Sequence, residues 1–220
     1  MMRPDILMKT IAPCAMGDFA VPAVFSCSPR SGGNSDTAAD FFREGIRLAG
    51  GRSQLFFLRD HVIHPCLGCL RCLEDPRGEC FLGSQDQSAP LFQALLTAPM
   101  IFIAAPIYFY HLPAQFKAWI DRSQSYYLRW EQGDPLIRGL ASRPAVVNLV
   151  AGRRKGERLF EGALLTLKYF LTTFNFYIQE HHAFRGIDAS EDLRMQPEAG
   201  DELTGAGRDA WTRLVSQPEG

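Results

Sequence analysis

Three groups of residues in this chain could do chemistry. The first is Ser28-Pro29-Arg30-Ser31-Gly32-Gly33-Asn34-Ser35, which follows the apolar run 20–27 and precedes a helical pattern. Small residues and hydroxyls let backbone N–H groups approach an anion closely. The following helix aims unpaired N–H groups and its dipole at negative charge, and Arg30 adds a guanidinium. The same residues also suit an ordinary βα turn, with Gly and Asn for backbone freedom and Ser as a cap. The second group is Cys66, Cys69, Cys72 and Cys80, spaced C-x2-C-x2-C-x7-C. Thiolates so spaced in a tight turn can converge on one centre, with Gly68 and Gly78 permitting the bends. A metal-sulfur cluster, a four-thiolate zinc and unligated or redox-active thiols are the open readings. The third is Ala105 to Pro113, where Tyr108, Phe109 and Tyr110 offer flat faces for stacking on a ring, or else pack the core and rim.

These groups need elements to position them. The run 20–27 reads as a first strand and Thr37 to Ala49 as a helix that Gly50-Gly51 ends. Gln54 to Leu58 is a second strand, followed by a long excursion, Arg59 to Ala89, that holds the cysteines and has no helical or strand period. Pro90 to Ala98 reads as helix. Met100 to Ala105 is an unbroken apolar run of the kind a strand buried on both faces shows, which makes it the expected central strand. Pro113 opens a helix through Phe116, Trp119 and Ile120. Ala145 to Val150 is a strand, Leu159 to Phe174 a helix and Phe176 to Gln179 a last strand. Residues 188–220 read as a loose segment with one short helix, Asp209 to Val215, and 1–19 as an N-terminal extension.

The resulting βαβαβαβαβ order requires a parallel sheet with helices on both faces and ligands at the carboxyl ends of the strands. The Ser28–Ser35 and Pro106–Pro113 loops both leave that edge. A phosphate cradle beside an aromatic loop suits a phosphorylated planar cofactor. If the strand order is 2-1-3-4-5, the cysteine loop leaves the strand beside the first and opens toward the same edge.

At 220 residues, 46% hydrophobic and 21% charged, the chain suits one well-buried α/β domain, and a net charge of -1 gives no reason to expect nucleic-acid binding. The longest apolar stretches, such as 100–107, fall far short of the roughly 20 residues of a membrane-spanning helix. The first 19 residues carry only Arg3 and Lys9 as positive charges and no signal-like apolar core, so export is not expected. Four of the six cysteines crowd into 15 residues, which argues for ligation in a reducing cytoplasm rather than for disulfides.

The runs CSPRSGGNS, HPCLGCLRC and APIYFYHLPAQFKAWIDR, in this order, resemble the flavodoxin-like NAD(P)H-dependent FMN reductase family and its iron-sulfur flavoprotein branch. The resemblance is strong from Pro22 to Arg122. It implies a three-layer sandwich over 20–187 and an FMN whose phosphate meets Ser28, Arg30, Gly33, Asn34 and Ser35. Pro106, Ile107, Tyr108, Phe109 and Gly152 would lie along its ring. It also implies that the four cysteines match the positions that carry a [4Fe-4S] cluster in that branch, although related reductases keep part of the pattern without a cluster. Cys27 and Ser35 stand where many members have Gly and Thr, and Ser35 keeps the hydroxyl. The implied activity is flavin-dependent electron transfer from NAD(P)H or a ferredoxin-like donor, with no side chain acting as acid or base. A non-enzymatic electron carrier or redox sensor would need the same cradle. A homodimer or larger homo-oligomer is the family expectation. Lys117, Asp121 and Arg122 read as structural ion pairs, and Arg153, Arg154 and Lys155 as either a contact for a nicotinamide phosphate or a solvated loop.

Overall fold

The computed structural model describes residues 21–216; the expected extension 1–19 lies outside the described residues. Five strands, β1 (Ala23–Ser26), β2 (Gln54–Phe57), β3 (Ile101–Pro106), β4 (Arg143–Ala151) and β5 (Phe176–Arg185), form one sheet. Its order is β2-β1-β3-β4-β5, and every neighbouring pair is parallel. The parallel sheet is what the alternating pattern requires, and the order 2-1-3-4-5 is that of the flavodoxin-like resemblance.

Strand periodicity sorts the core into two layers. Phe25, Ile101, Ile103 and Val147 face helices α3 (Ala89–Thr97), α4 (Ala114–Arg122) and α7 (Glu161–Thr172), where Leu95, Trp119 and Phe170 are buried with them. Val24, Phe102, Ala104 and Val146 face the other way, onto α1 (Asn34–Leu48) and α8 (Pro197–Ser216), with Phe42, Ile46 and Leu203. Short helices α2 (Arg71–Glu74), α5 (Gln124–Glu131) and α6 (Pro135–Arg138) lie outside this frame. The end of α1 follows from Gly50, at φ +83°, and from the Gly51 N–H donating to the Ile46 carbonyl.

Two expectations are corrected. The last strand does not stop at Gln179 but pairs with β4 as far as Arg185, with an irregularity at Ala145/Val146 that carries it past Gln179. The segment after 188 is not a loose connection ending in a helix from Asp209: α8 spans 20 residues from Pro197. Its glycines serve close packing. An added Cβ at Gly207 would lie 2.0 Å from the Phe42 carbonyl oxygen, and one at Gly45 would lie 2.0 Å from that of Thr204. The backbones of α1 and α8 therefore touch.

Tyr126, Tyr127 and Trp130 sit on α5. Tyr126 packs at a tilt against Phe92 and Phe174, while Tyr127 and Trp130 stack on each other at the surface.

Candidate functional site

The loop Ser26 to Ser35 is organised by a residue that sequence reading passed over. Asp36 is buried in the first turn of α1 and accepts from Ser26 Oγ, from the Gly32 N–H at 2.8 Å and from Arg59 Nη1 at 2.9 Å. One carboxylate thus ties the end of β1, the loop and the residues after β2 together. The loop turns at Gly32, at φ +66°, and Gly33 enters the helix with extended backbone and no side-chain cap. The N–H groups that open α1 therefore have no side chain satisfying them from the cap position.

Ser28, Arg30, Gly33, Asn34 and Ser35 line a cavity of about 330 Å³ together with Pro106, Ile107, Tyr108 and Gly152. Ser35 Oγ is buried and has no hydrogen-bond partner among the described residues. A buried hydroxyl without a partner is costly, so its presence on a cavity wall at a helix N-terminus fits an anion that accepts from it. Arg30 Nη1 donates to the Asp188 carbonyl at 3.0 Å, which fixes the guanidinium at the rim. Asn34 lines the cavity with its side chain engaged elsewhere. Its amide donates to the Ala189 carbonyl at 2.8 Å and its oxygen accepts from the Leu193 N–H at 3.0 Å. The side chain is spent on holding a turn against the loop, which leaves its backbone N–H for a ligand.

A second cavity of about 360 Å³ adjoins the first, sharing Ile107, Tyr108, Gly152 and Arg153, and adds Phe109, Tyr110, Ala151 and Leu159. Its wall is a turn in which Tyr108 and His111 exchange backbone hydrogen bonds at 2.8 and 3.0 Å. Phe109 and Tyr110 at the tip have φ of +50° and +63°, which bulky side chains adopt only at a cost. Tyr110 is braced by Arg153, whose guanidinium lies over its ring at 5.5 Å and donates to its hydroxyl at 3.3 Å. Phe109 is fully exposed. The expected phosphate-loop and ring residues therefore meet along one continuous recess, polar at the start of α1 and aromatic beyond Gly152. Val150, Ile187 and Asp188 also line it; the last two lie past β5, and Asp188 opens the segment expected to be loose.

The cysteine loop is closed at its neck. Val62 and Gln87 bond reciprocally, and the His64 N–H donates to Asp86, whose carboxylate also accepts from Ser88 and from the buried Arg122 guanidinium. Burial works against the Asp86 charge, but these hydrogen bonds outweigh it and hold the carboxyl below its ordinary range. Arg122 and the Lys117–Asp121 pair are thus structural, as read from the sequence. Cys66, Cys69, Cys72 and Cys80 are free thiols in this loop. Burial pushes the Cys72 thiol up, a backbone hydrogen bond draws it part of the way back, and charge on Cys80, Cys66 and Cys69 adds to the rise. Among the described residues, no three Cys, His, Asp or Glu side chains stand together as a ready metal site. The four cysteines line neither cavity of the recess; Cys80 lines a separate one with Tyr126 and Arg129.

A doubly wound parallel sheet, with a helix N-terminus and an aromatic loop meeting where β1 and β3 diverge, defines the flavodoxin-like class. Residues 23–175 match the model of the NADPH-dependent FMN reductase family, and the chain belongs to that family. It is similar to an iron-sulfur flavoprotein of Methanosarcina thermophila, at 31% identity over 98 residues, 44% of this chain and 49% of that protein. It is also similar to one of Archaeoglobus fulgidus, at 26% over 179 residues, 81% of this chain and 76% of that protein. The chain thus spans about half the length of the first relative. Among solved structures, an NAD(P)H:quinone oxidoreductase from Methanothermobacter marburgensis superposes with a TM-score of 0.60 at 16% identity, covering 86% of this chain and 98% of the other. That likeness is one of fold.

Proposed function

We propose that this chain is an FMN-dependent oxidoreductase that draws on NAD(P)H or a ferredoxin-like donor. The observation that carries the reading is Ser35 Oγ, a buried hydroxyl without a partner on a cavity wall at the start of α1. Ser35, the N–H groups of Gly33 and Asn34, and Arg30 would hold the phosphate, with Ser28 supporting the loop through the Arg30 N–H that its Oγ accepts at 3.1 Å. Pro106, Ile107, Tyr108, Phe109 and Gly152 would border the ring. Bound FMN supplies acceptance of a hydride and its release as one or two electrons. The protein's own part is to bind, to orient and to keep the aromatic wall in place through Arg153 and Tyr110.

Cys66, Cys69, Cys72 and Cys80 would hold a [4Fe-4S] cluster. The donor type, the spacing and the names of the two similar proteins support this. No described helix is long and apolar enough to cross a membrane; a cytoplasmic homodimer or larger homo-oligomer belongs to the same reading.

The test is a titration of flavin-free protein with FMN and with riboflavin. Wild type should prefer FMN, and Ser35→Ala should lose about tenfold or more on FMN and nothing on riboflavin. Equal affinity of wild type for both flavins would overturn the assignment. Anaerobic bleaching of the bound flavin by NADPH supports an enzyme, and a lack of bleaching a carrier. Iron and acid-labile sulfide on anaerobically purified protein decide the cluster.

A further inference from the structure

Asp188 lies beyond the stretch that matches the family model and, among the described residues, is the single carboxylate on the wall of the polar cavity. Its main chain is held on both sides: Arg30 Nη1 donates to its carbonyl at 3.0 Å, and its N–H donates to Asp192 Oδ2 at 2.8 Å. The next carbonyl, Ala189, takes the Asn34 amide at 2.8 Å. Its carboxylate makes no hydrogen bond or ion pair among the described residues.

Gly152 explains how the carboxylate reaches the recess. An added Cβ there would lie 2.9 Å from Asp188 Oδ1 and 3.1 Å from its carboxyl carbon, so only glycine leaves the space that the carboxylate uses. Gly152 is also one of the residues shared by the polar and aromatic cavities. Asp188 thus stands between the anion end and the ring end. A carboxylate in that position repels a phosphate and can only accept hydrogen bonds, whereas the charged side chains around it, Arg30 and Arg153, donate. What satisfies it is a neutral ligand segment rich in hydroxyl donors.

We propose that Asp188 recognises the hydroxylated chain that joins the phosphate of FMN to its ring, and so selects a polyol-linked flavin phosphate over one with a plain alkyl linker. This rests on the FMN reading above. The test measures dissociation constants of flavin-free wild type, Asp188→Ala and Asp188→Asn for FMN and for 10-(5-phosphopentyl)isoalloxazine carrying the same ring methyl groups, which keeps the phosphate and ring but has no linker hydroxyls.

Wild type should prefer FMN over the alkyl analogue by about ten- to a hundredfold, the worth of hydrogen bonds to a charged group. Asp188→Ala should lose that preference by weakening on FMN alone, and Asp188→Asn, which keeps an accepting oxygen, should retain part of it. Equal weakening on both ligands would mean that the variant merely disturbs the loop, and unchanged FMN affinity would mean that the carboxylate meets no hydroxyl; either overturns the proposal. Failure of wild type to bind FMN would instead refute the FMN reading, and it appears before any variant is made.

Discussion

Two glycines two residues apart on α8 should respond to alanine with opposite signs. At Gly207 an added Cβ would stand 2.0 Å from the Phe42 carbonyl oxygen, and 2.9 Å from its carbon. A tolerable C···O contact is about 3.3 Å, so α1 and α8 must part by roughly 1.3 Å. A gap of that size forfeits more than a quarter of the dispersion energy of the contacts it opens. The face affected buries Phe42, Ile46, Ala199, Leu203 and Ala206. Overpacking of this kind costs about 3–4 kcal/mol, and the better helix propensity of alanine returns about 1, for a net loss of about 2–3 kcal/mol. At Gly205 nothing lies within 4 Å of the added Cβ, so propensity acts alone and Gly205→Ala gains about 0.5–1 kcal/mol.

Urea unfolding of flavin-free protein measures both without a contribution from ligand linkage. The Gly207→Ala midpoint should fall by roughly 1 M with the slope unchanged, and the Gly205→Ala midpoint should rise. A Gly207→Ala midpoint at or above wild type would refute the reasoning, because a contact of 2.0 Å cannot be relieved without moving a helix. So would a fall in both variants, since it would mean that α8 rejects alanine for some reason other than the close approach.

Other consequences are local. Asp86 is held below the ordinary carboxyl range, so the stability it lends the neck is present above the unfolded value near 4 and is lost as pH falls through the folded one. Residues 64–86 should therefore open to pepsin in acid, and Asp86→Asn should expose them to proteases at pH 7 at a cost of about 3–5 kcal/mol by stranding Arg122; protection equal to wild type at pH 7 counts against this. Arg143, which burial lowers to about 10, donates to the Leu96, Ala98 and Phe174 carbonyls. Its replacement by Met should cost about 2–4 kcal/mol, and Lys should not restore the melting temperature, because an ammonium lacks the planar fork. Phe109→Asn should stabilise by about 1 kcal/mol in thermal melts, since Phe109 is fully exposed at φ +50° and asparagine tolerates that conformation; a lower melting temperature would show that the aromatic ring packs.

Much of the frame could be read from the chain because local and global signals agree in it. The run at 100–105 has the unbroken apolar character of a strand covered on both faces, the apolar run 20–27 marks the first strand, and Gly50-Gly51 stops a helix where the structure stops α1. The 188–220 segment failed for a physical reason. Gly200, Gly205 and Gly207 lower helix propensity and read as loop, yet Gly207 is what lets α8 lie against the α1 backbone. Propensity counts glycine as a cost; a tertiary contact that no other residue permits outweighs it. The early end of the last strand has a similar origin, since Glu180, His181 and His182 look polar for a strand, but β5 is an edge strand and tolerates them.

The recess repeats the contrast. Ser28 to Ser35 and Pro106 to Phe109 are contiguous in sequence, and strand order alone sends both to one edge, so their meeting followed from topology. Asp36 and Asp188 gave no such signal. Asp36 looks like any acidic residue in a first helical turn until Ser26, Gly32 and Arg59 are seen to converge on it. Asp188 is one of several acidic residues in a stretch rich in them, and its place on the wall depends on Arg30 and Asn34, more than 150 residues earlier, bonding to the backbone of 188–189. The turn they hold enters α8, which is fixed in turn by Gly207 against Phe42. Helix packing on the far side of the sheet and the wall of the ligand recess are therefore one mechanical unit, and Gly207→Ala should weaken FMN binding as well as stability. Isothermal titration of the folded variant, below its unfolding transition, would show this as a raised dissociation constant for FMN. An unchanged constant would mean that Arg30 and Asn34 hold the turn without help from α8.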